Sequence, residues 1–257
     1  MTASKHTQLR KRMADGEILG GTFIKTPAYE QMEVLAMSGL DFICLDAEHA
    51  PFDRRSMDAC LAVAMAYNLP ALVRVPEGTQ AQILIALDSG AVGIVVPHVN
   101  TAEKARNIAK WARFGHYGRG FAGSTRWAGY ATRGMPELLE KSQRETIVIA
   151  QIEEPEAVDV IDDICAVDGL DGVFVGPADM AVCLGKTDVA DPAVRDIMRR
   201  VGIAAKAHGK CFMTFAPSTA SAKELNDLGV TMYFVASEHA FLLHGAREVA
   251  NSLKKLG

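Results

Sequence analysis

Eight short apolar runs recur along the chain at intervals of roughly thirty residues, each separated from the next by a longer stretch of helical periodicity. The runs are GGTFIK (20–25), DFICLDA (41–47), ALVRV (71–75), VGIVVP (92–97), TIVIAQIE (146–153), GVFVG (172–176), CFMTFA (211–216) and MYFVAS (232–237). Most are almost continuous in Val, Ile and Phe rather than alternating with polar residues. That is the pattern of parallel strands covered on both faces. The stretches between them (28–39, 54–68, 81–90, 102–113, 155–167, 193–209 and 221–229) carry helical spacing, and several end in the Gly that stops a helix. Strand and helix alternating in this way predict an α/β fold, a (β/α)8 TIM barrel. A doubly wound open sheet would use fewer strands or a second domain. No linker, low-complexity tract or repeat divides the chain, so residues 1–257 read as a single domain. The longest irregular stretch, about 113–145, is rich in glycine and reads as a long active-site loop over one end of the barrel.

The formal net charge is −4, which leaves no basic surplus for a phosphate backbone and argues against nucleic acid as a partner. The opening MTASKHTQLRKRMADGE is polar and basic without the apolar centre of a secretory signal. No apolar run of membrane-spanning length occurs, so the expectation is a cytoplasmic protein that does not engage a membrane. The five cysteines are widely spaced and form no C-x-x-C pair, which reads as buried reduced thiols rather than a zinc site or disulfide framework.

A barrel of this kind builds its active site where the strands exit at their C-terminal ends, and the reactive side chains of this sequence collect there. Glu153 and Asp179 end successive strands, which in a parallel sheet lie about 4.8 Å apart. Carboxylates that close repel unless protonated or bridged by a cation, and a hard divalent ion takes oxygen ligands. The alternative is a pair of solvated acids, with Asp179 capping a short helix. Arg74 interrupts its strand at the exit, where a guanidinium can grip a carboxylate or an enolate oxygen, or form a surface or interface salt bridge. His49 follows Asp46 by three residues, a spacing that allows a carboxylate–imidazole dyad for proton transfer. Asp88, set among apolar neighbours, is either a second acid for His49 or a helix-end acid. Gln151, Gly176, Pro177 and Ala178 line the same rim. GRGFAG (118–123) imitates a dinucleotide fingerprint but follows a helix, not a strand, and so fails its context. An iron site built from His49, His98 and an acid is a weaker reading than the carboxylate pair.

The segments LDAEHAPFD, LVRVPEG, LDSGAVGIVVPHVNTAEKA, RGFAGSTRWAGY, IAQIEEPEAV and DGLDGVFVGPADMAVCLG, in that order, resemble the HpcH/HpaI aldolases. These are class II, metal-dependent pyruvate aldolases, including 4-hydroxy-2-oxoheptanedioate and 2-dehydro-3-deoxyglucarate aldolases of aromatic and sugar-acid catabolism. The resemblance implies reversible cleavage of a 4-hydroxy-2-oxoacid to pyruvate and an aldehyde through a metal-stabilised enolate. It implies Glu153 and Asp179 as ligands of Mg²⁺, Mn²⁺ or Co²⁺, and Arg74 on the keto oxygen. It further implies His49 as general base tuned by Asp46 and Asp88, and pyruvate received at Gln151 and the Gly176-Pro177-Ala178-Asp179 turn. A homo-oligomer, commonly a hexamer with an exchanged C-terminal helix, is also implied. The chain departs from the family at GPADMA, where a hydroxyl is lost beside Asp179, and at His98, where an apolar residue is common. It departs again at FGHYGRGF, where the family has a Pro-rich segment, and at ASEHAF, where relatives often carry an Asp. Three rivals remain: a Schiff-base aldolase using Lys25, a citryl- or malyl-CoA-type lyase, and a catalytically idle barrel.

Overall fold

All eight apolar runs become strands in the computed structural model, which describes residues 4–256. They are β1 (Leu19–Ile24), β2 (Phe42–Asp46), β3 (Ala71–Arg74), β4 (Gly93–Val96), β5 (Ile147–Ile152), β6 (Gly172–Val175), β7 (Cys211–Ala216) and β8 (Met232–Ser237). Every neighbouring pair is parallel, and β8 returns to β1, so the sheet closes into a barrel in sequence order. The expected (β/α)8 architecture is the one observed.

The helices are α1 (Lys5–Ala14), α2 (Glu30–Ala36), α3 (Arg54–Ala66), α4 (Gln80–Asp88), α5 (Ala102–Trp111) and α6 (Met135–Glu145). They continue with α7 (Pro155–Asp159), α8 (Ile161–Cys165), α9 (Pro177–Cys183), α10 (Pro192–Ala207), α11 (Thr219–Leu225) and α12 (Glu238–Leu253). Those after β2, β3 and β4 start at side chains that accept an orphan backbone N–H: Asp53, Thr79 and Thr101. Among the described residues, no helix is long and apolar enough to cross a membrane.

Strand parity divides the core. Val148, Ala150 and Ile152 of β5 pack outward against the helices, while Ile147 and Ile149 point into the lumen. The lumen is filled, not hollow: the Phe23 and Phe234 rings lie 4.2 Å apart and Phe174 meets Phe234 edge-on at 5.2 Å. Each such aromatic pair is worth about 0.5–1.5 kcal/mol beyond its buried area. The basic N-terminal segment, which lacks the look of a core element, forms α1 and buries Leu9 and Met13 within this lumen cluster. At β4 the sheet demands glycine: a Cβ on Gly93 would lie 2.5 Å from the Ile147 carbonyl oxygen.

Two expectations about the loops need correction. The 113–145 stretch is not one loop, because α6 occupies its second half. It also joins the end of α5 to the start of β5, so within this chain it lies at the amino ends of the strands, opposite the catalytic rim. The cysteines are all free, and four of them are buried as expected, but Cys183 on α9 is exposed.

Candidate active site

The inward parity of the strands carries polar residues to the carboxyl rim. Phe42 and Cys44 of β2 face the lumen, so Asp46 follows them inward. On β3, Leu72 is followed by Arg74, and on β5, Ile149 is followed by Gln151 and then Glu153. Asp46 and Arg74 are directly paired in the β2–β3 register.

Asp46 is fully buried and accepts from Arg74 Nε at 3.0 Å, Arg74 Nη2 at 2.8 Å and Lys25 Nζ at 2.6 Å. It also accepts the backbone N–H of His49 at 3.1 Å. Burial works to raise the Asp46 carboxyl, but the hydrogen bonds and charge of Arg74, with Lys25 and the His49 amide, hold it below the ordinary carboxylate range. Arg74 also sits 4.6 Å over the face of Phe23, so the aromatic lumen forms its floor. Arg74 is therefore a buried, fixed guanidinium and not a surface salt bridge.

This geometry corrects the dyad expected of Asp46 and His49. The carboxylate is saturated by other donors and takes the His49 backbone, not its imidazole. The imidazole projects into the mouth, with Nε2 3.6 Å from Glu48 Oε2. Asp88 is also not beside His49 in this chain. It ends α4, which runs away from the carboxyl rim, and its carboxylate accepts from Arg119 at 3.0 and 2.5 Å. Lys25 lies beside the site as a cation paired with Asp46.

Glu153 is buried, and Gln151 Nε2 donates to its Oε2. Asp179 lies in the first turn of α9 on the exposed side, and no side chain caps that helix, so its carboxylate does not serve as the alternative cap. Gly176 keeps the two acids in reach of each other. A Cβ there would lie 3.1 Å from Asp179 Oδ2 and 3.6 Å from Glu153 Oε2. Gly176 and Pro177 are buried behind this cradle, and Ala178 is exposed beside Asp179.

Two residues join the site beyond those assigned to it from the sequence: Glu48, and His98, which entered that reading only through the weaker iron-site alternative. Glu48 continues the inward parity of β2 by one further step, and its Oε2 lies 3.2 Å from Arg74 Nη1. That contact is ionic, off the N–H direction, because the buried oxygen has no hydrogen-bond partner. Burial pushes the Glu48 carboxyl up, Arg74 and His49 oppose the push, and the nearby charge of Glu153 adds to it. His98, at a left-handed φ of 56°, donates its backbone N–H to Glu153 Oε1 at 2.8 Å. Glu48, His98 and Glu153 offer ligand atoms all within 4.8 Å of one another. Strand parity would have found Glu48; the turn that reverses at His98 leaves no such signal.

A divalent cation fits these residues. The acids converge without enough cations to answer them, the Gly176 cradle holds Glu153 and Asp179 close, and Gln151 Oε1 and Glu48 Oε2 are buried without partners.

Comparison with known proteins agrees with this fold. The family model described as HpcH/HpaI aldolase/citrate lyase matches residues 20–245. A hydroxypyruvate/pyruvate aldolase of Roseovarius nubinhibens is 31% identical over 245 residues, covering 93% of each chain. A 5-keto-4-deoxy-D-glucarate aldolase of Klebsiella pneumoniae is 33% identical over 225 residues, covering 87% of each. The crystal structure of a family protein from Burkholderia cenocepacia J2315 superposes with a TM-score of 0.91 at 32% identity, covering 96% of this chain and 99% of that one. With the closed barrel, the family model and these relatives in agreement, the chain belongs to the HpcH/HpaI aldolase/citrate lyase family.

Proposed function

We propose that this protein is a divalent-metal-dependent aldolase that reversibly cleaves a 4-hydroxy-2-oxoacid to pyruvate and an aldehyde. The observation that carries the reading is the pair Glu153 and Asp179 held around the empty Cβ position of Gly176. These two side chains would hold Mg²⁺, Mn²⁺ or Co²⁺, which when bound supplies Lewis-acid polarisation of a 2-oxoacid. The names of the relatives, hydroxypyruvate/pyruvate aldolase and 5-keto-4-deoxy-D-glucarate aldolase, support pyruvate or a close analogue as donor and a small polar aldehyde as its partner.

The chain's own residues then divide the work. Asp46 takes the Nε and Nη2 edge of Arg74, which leaves Nη1 facing Glu48 and the mouth. Arg74 is so oriented before substrate arrives and donates to the keto oxygen as negative charge gathers there. In cleavage, His49 accepts the proton of the C4 hydroxyl as the C3–C4 bond breaks and its electron pair enters the enolate. The same imidazole returns a proton to C3, giving pyruvate and the free aldehyde. Gln151 fixes Glu153 by its amide N–H, and Ala178 with Asp179 forms the wall that receives the carboxylate. Asp88 acts on His49 in this reading only where another subunit supplies it.

The reading includes a cytoplasmic homo-oligomer, a hexamer with the C-terminal helix exchanged. Free cysteines support a reducing compartment. The exposure of Leu242, Val249 and Leu253 on α12, which buries only Glu238 against its own chain, supports the exchange. The test is a coupled assay for pyruvate release from hydroxy-oxoacids, with metal content measured on the same samples. Glu153→Ala and Asp179→Ala should lose the ion and the activity together. Undiminished turnover by the wild type after exhaustive chelation would end the proposal.

A further inference from the structure

The imidazole of His98 stands where it can act on the centre itself. Its Nδ1 lies 3.0 Å from Glu154 Oε1 and 3.0 Å from Glu153 Oε1. Glu154 is in turn tethered through its other oxygen, which accepts from Asn100 Nδ2 at 2.8 Å. A carboxylate held in this way takes the Nδ1 proton, which leaves Nε2 bare. Nε2 lies 3.9 Å from Glu48 Oε1. With bonds of about 2.1 Å, two ligands of one ion are separated by about 3.0 Å at a right angle and about 4.2 Å in line. The observed gap falls inside that range. Glu48 supplies the second observation: its side chain is only 10% exposed, and Oε2 is buried in the cluster without a hydrogen-bond partner.

We propose that His98 supplies a nitrogen ligand to the divalent ion held by Glu153, with Glu48 as a further oxygen group around it. The inference rests on the metal-dependent reading above and goes beyond it, because it changes the chemistry of the ion preferred. An all-oxygen site suits Mg²⁺ or Mn²⁺, whereas an imidazole nitrogen raises affinity for Co²⁺ and Zn²⁺. The Glu154–Asn100 pair is the orienting layer that fixes the tautomer.

The test uses the metal-free full-length protein as wild type, His98→Leu and His98→Gln, each checked for a native melting curve. Calorimetric titration with Co²⁺ and Mg²⁺ should find Co²⁺ binding weakened about tenfold or more in both variants, with Mg²⁺ affinity within about threefold of wild type. Pulsed electron paramagnetic resonance of the Mn²⁺-loaded wild type should detect a directly bound imidazole ¹⁴N, and the signal should vanish in His98→Leu. Equal weakening of both ions, no weakening of either, or a ¹⁴N signal that survives His98→Leu would overturn the role of His98 while leaving the aldolase reading intact. A wild type that binds neither ion would overturn both.

Discussion

The pairing of Asp46 with Arg74 makes a prediction that separates a structural charge pair from incidental contact. The Asp46 side chain is fully buried and that of Arg74 is 8% exposed, so removing either leaves its partner charged and out of water. Breaking a buried pair from one side costs about 3–5 kcal/mol. Lys25 adds little to this, since its side chain is 32% exposed and exposed pairs contribute about 0–1 kcal/mol. Asp46→Ala should therefore lose about 3–5 kcal/mol in urea denaturation near neutral pH. Arg74→Met should lose a similar amount: Lys25 and the His49 amide remain on Asp46, but Glu48 loses its cation as well. The double variant Asp46→Leu/Arg74→Met removes both members of the pair and leaves Glu48 without its cation only as the single Arg74→Met already does, so its loss should fall short of the sum of the single losses by about 2 kcal/mol. The folded Asp46 carboxyl titrates below its unfolded value of about 3.9, so its stabilisation is present above that pH and disappears as pH falls through the folded value. Strictly additive single and double losses would refute the reasoning, since they would mean that neither charge depends on the other.

Three further outcomes follow from the same geometry. Asp88→Ala strands the Arg119 guanidinium, which is 2% exposed, and should destabilise by about 3 kcal/mol in thermal or urea unfolding; an unchanged transition would mean that Arg119 finds another partner. Gly176→Ala, at an unstrained φ of −83°, should fold normally but weaken divalent-ion binding, read by calorimetry, because the new methyl group comes within 3.1 Å of Asp179 Oδ2 and 3.6 Å of Glu153 Oε2. The folded Glu48 carboxyl is raised, so ionised Glu48 weighs against folding as pH rises above its unfolded value of about 4.3. Glu48→Gln should accordingly raise the melting midpoint of the metal-free protein at neutral pH but not near pH 3, as scanning calorimetry would report.

Strand positions were legible in the sequence because a fully covered parallel strand must be apolar on both faces, and these short runs are rich in Val, Ile and Phe where the helices favour Ala and Leu. Inward parity then brought Asp46, Arg74, Gln151 and Glu153 to one rim, since alternate residues of a strand must share a face. Closure agrees with the count of eight strands alternating with helices, and it leaves no edge exposed. Local pattern does not determine which donors win a given acceptor. Asp46 lies three residues from His49, yet Arg74 and Lys25, brought from other strands, take its oxygens. The same holds for Asp88, whose helix carries it to the opposite end of the barrel and against Arg119. His98 enters the acid cluster only because its backbone turns left-handed at the strand exit. Hydrophobic periodicity records burial, which each residue meets alone, whereas the partner of a buried charge depends on distances that exist only once the barrel has closed.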